Sequence, residues 1–170
     1  MLESIRRNRA SGRSHALARV PARAALGSAM LYHGVQKLRD TDQAARSFEA
    51  LGIKPARPWA RATALAETFA GAAALLGVLT RPAALAVLVT QGVAIAKVHR
   101  PKGFDNTKGG FEYNLTLMAI AAGLLFAGPG HVSVREAIER ALAPRRLAGF
   151  VKPRRRRWSR ALRIALMLLG

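Results

Sequence analysis

From Val20 onward the chain is a succession of long apolar blocks joined by short polar segments. Four blocks stand out, at about residues 20–38, 59–80, 82–99 and 111–127. Each approaches the roughly 20 residues that an α-helix needs to cross a bilayer. Local signals set their ends. Pro21 suits a first helical turn, and Arg81-Pro82 makes a tight connection with Pro82 placed to start the third helix. Arg100 to Gly110 holds Pro101, Gly103, Gly109 and Gly110, an irregular linker, and Gly128-Pro129-Gly130 stops the fourth block. The pattern predicts an all-α protein, an integral membrane four-helix bundle over residues 20–130 with basic, partly disordered tails.

The segments outside the blocks have their own character. Residues 1–19 carry Arg6, Arg7, Arg9, Arg13 and Arg19 against Glu3 alone, with no core, and read as a disordered or surface-lying cytoplasmic tail. A cleaved signal peptide fits less well. The basic region is long, and the apolar segment after it ends in His33-Gly-Val-Gln-Lys37 rather than in small residues. Between the first two blocks, Phe48, Leu51 and Ile53 around Gly52 predict a short half-buried helix at the membrane surface. Ser133-Val-Arg-Glu136 resembles a capping box on a helix from Val134 to Leu142. Residues 131–170 form a basic C-terminal tail. Its last stretch, 158–170, is too short to span and carries Trp158, Arg160 and Arg163, which suits a helix lying in the interface.

Composition changes the picture only once the charges are located. A net charge of +19 over 170 residues, 51% of them hydrophobic, would on average suggest a basic soluble domain that binds nucleic acid. Here the charges gather in the tails and connections, as in a membrane protein with basic juxtamembrane ends. No nucleic-acid motif or aromatic stacking platform accompanies them, so nucleic acid is not an expected partner. The expected partners are the bilayer, anionic lipid at the basic tails, redox partner proteins and a second copy of the chain. Both tails and Arg81 on the inner side satisfy the positive-inside rule, which predicts a multi-pass protein of the cell membrane with both termini cytoplasmic. The chain has no cysteine. It therefore forms no disulfide, performs no thiol exchange and builds no Cys-ligated metal site.

The polar residues inside the blocks converge on one side. Glu67 sits about two turns into the second block, where an ionisable group costs roughly 2.5 kcal/mol or more and calls for a partner. His33 and Lys37 lie four apart at the end of the first block, on one helical face. Lys97 and His99 end the third, Gln91 lies near its middle, and Glu112 and Asn114 open the fourth. Four helix ends thus share one side of the membrane whatever the orientation. The expectation is a polar pocket with Glu67 paired to Lys37 or His33 and Glu112 paired to another cation. Its candidate ligand-binding residues are His33, Lys37, Glu67, Gln91, Glu112 and Asn114, with Glu67 and His33 the candidates for chemistry. The bland alternative is a set of span-end residues that only hold helices together, the reading favoured for Lys97, His99 and Arg23. A metal site from His33, His99, Glu67 and Glu112 has no spacing signature and is not expected.

Taken in order, these elements resemble the DoxX family of small four-span membrane proteins. The resemblance runs from Arg23 to about Val134. It rests on His33-Gly34-x-x-Lys37-Leu38, Phe48-x-x-Leu51-Gly52-Ile53, Glu67, Gly77-x-x-Thr80-Arg81, Gly110-x-Glu112, and Gly128-Pro129-Gly130 with Ser133. Where the family pattern has an acid just after that serine, this chain has Val134-Arg135, with Glu136 next. The resemblance implies a link to quinone-coupled oxidation of sulfur compounds or to membrane oxidoreductase complexes in oxidative-stress defence. On that footing the pocket would bind a quinone headgroup, Glu67 or His33 would handle its protons, and Lys37 would fix a carbonyl oxygen. No other cofactor is implied. Two further readings stay open: a small-molecule or proton transporter built on Glu67, and a non-enzymatic scaffold whose basic tails recruit a partner.

Overall fold

The computed structural model describes residues 2–130 and 133–142, and all regular structure among them is helical. Six α-helices follow one another: α1 Leu2–Arg39, α2 Thr41–Ala50, α3 Ala56–Leu76, α4 Thr80–Ala94, α5 Glu112–Ala127 and α6 Val134–Leu142. Beyond Ala94 the helix widens into a π-turn, Ile95–His99, then tightens into a 3-10 turn, Arg100–Lys102. The C-terminal stretch read as an interfacial helix, 158–170, lies outside the described residues.

The helix ends show where the sequence signals act. Asp40 caps α2, its carboxylate accepting the Gln43 N–H at 2.8 Å. Gly77 closes α3 in the left-handed conformation. The Ser133 hydroxyl accepts the Glu136 N–H at 3.2 Å, the forward half of the expected capping box. One start differs from expectation. Pro21 lies inside α1, which runs back to Leu2. An established helix extends by one residue at a time without a new nucleation cost, and the Ala, Leu and Arg of this segment are good helix formers. One proline costs a backbone bond without ending the helix.

Four helices share a single core. Leu26 and Met30 of α1, Ala73 of α3, Val87 of α4, and Leu117 and Leu124 of α5 are all buried in one cluster. Many large apolar side chains point outward instead, among them Phe69, Leu85, Val89 and Phe126, the last 82% exposed. Among the described residues, Thr80–Lys102 is the one helix long and apolar enough to cross a membrane. Helix α5 is apolar but shorter, and α3 carries Arg57, Arg61 and Glu67 along its length.

The connection from the 3-10 turn to α5 is tied down. Phe111 and Glu112 donate their N–H groups to the carbonyls of Gly103 and Phe104 at 3.1 and 3.0 Å. A Cβ at Gly110 would sit 2.3 Å from the Gly103 carbonyl oxygen, so this approach requires glycine. Asp105 accepts from the Thr107 N–H and hydroxyl at 2.9 and 2.7 Å. Those two donors hold its carboxyl below the usual carboxylate range.

Candidate functional site

The site begins with how closely α1 and α3 approach. A Cβ on Gly34 would lie 2.4 Å from the Thr68 backbone nitrogen, and one on Gly71 would lie 2.3 Å from the Leu31 nitrogen. Each glycine admits the facing backbone where a larger residue would hold it off. One turn beyond Gly34, Lys37 reaches across, and its Nζ lies 2.5 Å from Glu67 Oε2. Glu67 is buried and Lys37 is partly exposed. The carboxylate is thus neutralised by a cation on a neighbouring helix, as a charge in an apolar setting requires.

This ion pair lies in the wall of a cavity of about 430 Å³. Phe48, Leu51 and Ile53 come from the end of α2 and the residues just after it, Trp59 from α3, and Val89 and Val93 from α4. Thr63 and Thr90 add hydroxyls, though Thr90 donates to the Val87 carbonyl. The π-turn contributes Lys97 and His99. His99 Nδ1 lies 2.7 Å from the Gly109 carbonyl oxygen, which ties the π-turn to the following loop. Size and lining suit a mostly apolar molecule with a small polar end.

The DoxX family model matches residues 18–100. The chain carries a DoxX domain. That domain marks it as a membrane protein, and every residue lining the cavity falls within the matched stretch. No match was found among curated proteins or among solved structures.

Within and beside the DoxX domain, the residues singled out from the sequence separate into four groups. Lys37 and Glu67 line the cavity together. His33 lies outside it, edge-on to Tyr32 and to Tyr113 of α5, with ring centroids 5.5 and 6.4 Å apart. Gln91 and Asn114 are buried elsewhere: the Asn114 amide donates to Gln91 Oε1 at 2.8 Å, and the Gln91 amide approaches Met30 Sδ at 3.5 Å. That bridge links α1, α4 and α5 through the core. Glu112 is exposed and accepts the Asn106 N–H at 3.4 Å in place of the expected cation. No metal-binding cluster of His, Asp and Glu occurs among the described residues.

Three features escaped the sequence reading. The sequence favours Lys97 and His99 as span-end residues that snorkel or hold helices together. In the DoxX domain both line the cavity, where the helix has widened into the π-turn. Such turns are frequent at functional sites. Arg23 is the third. It is buried, and its guanidinium donates to the carbonyls of Ala74, Leu75 and Pro129 at 2.8, 2.7 and 3.0 Å. It caps the end of α3 and fastens the segment after α5, at the end of the bundle away from the cavity.

Proposed function

We propose that this DoxX protein is a subunit of a membrane oxidoreductase system and that its cavity binds a quinone-like molecule. The observation that carries the reading is the cavity itself: about 430 Å³, walled by apolar side chains, with the Lys37–Glu67 pair in its wall. An aromatic head with a hydrocarbon tail matches such a lining, and the paired charges offer polarity without a net charge. Lacking cysteine, the chain relies on a bound molecule or a partner subunit for electrons.

The same reading takes α3, α4, α5 and the part of α1 after about residue 20 as four membrane spans. The outward apolar residues of α3, α4 and α5 support it, because lipid tails accept what water would not. Both basic termini then lie in the cytoplasm, and the cavity faces the opposite side.

The test is a titration of the purified full chain in lipid nanodiscs with a benzoquinone carrying a decyl tail. Saturable binding weakened by Trp59→Ala is the expected result. Absence of binding, together with an unchanged oxidant response in a deletion strain, ends this reading.

A further inference from the structure

Which end of the cavity meets the polar head follows from what its polar groups have left to offer. Lys37 and Glu67 are joined to each other, and the buried carboxylate has little exposed surface for a ligand. Thr90 is committed to a backbone carbonyl. The π-turn differs. Among the described residues Lys97 has no ion-pair partner, and its side chain is exposed where it borders the cavity. His99 lines the cavity with one nitrogen already used. A carbonyl oxygen only accepts, so the 2.7 Å contact with Gly109 puts a hydrogen on Nδ1. In the neutral ring Nε2 is then a bare acceptor.

Another part of the wall is apolar and faces outward. Trp59 is 54% exposed, Val89 65% and Val93 48%, and all three line the cavity. In a membrane protein these residues border lipid, so the cavity communicates with the hydrocarbon of the bilayer. A ligand entering there keeps its tail among lipid chains and brings its head to the π-turn.

We propose that the π-turn reads the oxidation state of the ligand head, Lys97 donating to one oxygen and His99 Nε2 accepting a hydrogen bond from a hydroxyl. A hydroquinone head supplies both an oxygen acceptor and an O–H donor. The oxidised head presents only carbonyl oxygens, and one facing Nε2 sets acceptor against acceptor. The DoxX cavity therefore prefers the reduced form. This rests on the reading given under Proposed function and adds to it the residues that discriminate.

The experiment compares a decyl-benzoquinone with its hydroquinone, binding each to the full chain in nanodiscs at about pH 8. Trp59 reports occupancy by its fluorescence in a Trp158→Phe background, since the chain has two tryptophans. The hydroquinone is expected to bind up to about tenfold more tightly, the worth of one hydrogen bond. His99→Phe removes that preference, His99→Gln keeps part of it through its amide oxygen, and Lys97→Met weakens both forms alike. Equal affinities in the unmodified protein, or a preference that survives His99→Phe, overturn this inference and leave the cavity's ligand class standing. Failure of both forms to bind overturns the underlying reading as well.

Discussion

Lys37 of α1 and Glu67 of α3, separated by 30 residues in the chain, meet at 2.5 Å across two helices that touch backbone to backbone. The pair is asymmetric: the carboxylate is buried, while the ammonium keeps 28% of its side chain exposed. Removing either partner therefore has unequal effects. Lys37→Met leaves a buried charge unpaired and is expected to cost about 3 kcal/mol. Glu67→Gln leaves a lysine that can turn toward solvent and is expected to cost about 1 kcal/mol. A double-mutant cycle by denaturant unfolding in detergent measures the coupling; equal losses from the two single variants would contradict the asymmetry.

The ion pair depends on how closely the helices approach. Gly34→Ala places a methyl group 2.4 Å from the Thr68 nitrogen, so α1 and α3 must separate, at an expected cost of about 1–3 kcal/mol. Gly123→Ala in α5 meets nothing within 4 Å and is expected to stabilise the helix by about 0.5–1 kcal/mol. Opposite shifts in thermal midpoint are the predicted signature of the two glycines.

Arg23 gives a prediction at the far end of the bundle. Replacing it with methionine removes three carbonyl bonds and is expected to cost about 2–4 kcal/mol. Arg23→Lys is expected to restore less than half, because an ammonium lacks the planar fork that reaches all three oxygens. Ligand affinity per folded molecule should stay unchanged in both, which separates this end from the cavity.

The Gln91–Asn114 bridge is predicted to act on stability alone. Asn114→Leu strands the buried Gln91 carbonyl oxygen and is expected to cost about 1–3 kcal/mol. Pairing it with Gln91→Leu removes the stranded group and should return much of the loss. Titration of the double variant with a quinone should match the unmodified protein; a large drop in affinity would place these amides in the ligand site after all.

Much of this arrangement was legible before any coordinates. Apolar runs and Gly/Pro punctuation located the helices, and the depth of Glu67 demanded a cation that Lys37, one turn past a glycine, could supply. The cavity's apolar wall was half visible as Phe48, Leu51 and Ile53. What sequence could not tell was rotation. Gln91 of α4 and Asn114 of α5 were grouped with the ion pair of α1 and α3 but are buried in the core, and a linear reading has no measure of where a helix face is directed. The π-turn at Ile95–His99 has no sequence signature either, and the contact that ties it to the loop runs from His99 to a backbone carbonyl, that of Gly109. Arg23 was hidden because its acceptors are backbone carbonyls, which carry no residue identity.

Arg23 also bears on the order in which the molecule can be completed. Its bonds to Ala74 and Leu75 await the end of α3, and its bond to Pro129 spans 106 positions of the chain. During synthesis a ribosome must therefore add more than a hundred residues after this arginine before the last of these acceptors emerges. The packing of α1 against the end of α3 and the segment after α5 is consequently completed only late in biogenesis. A chain cut short before Pro129 keeps every residue lining the cavity in its sequence yet lacks the acceptor that would finish locking the far end.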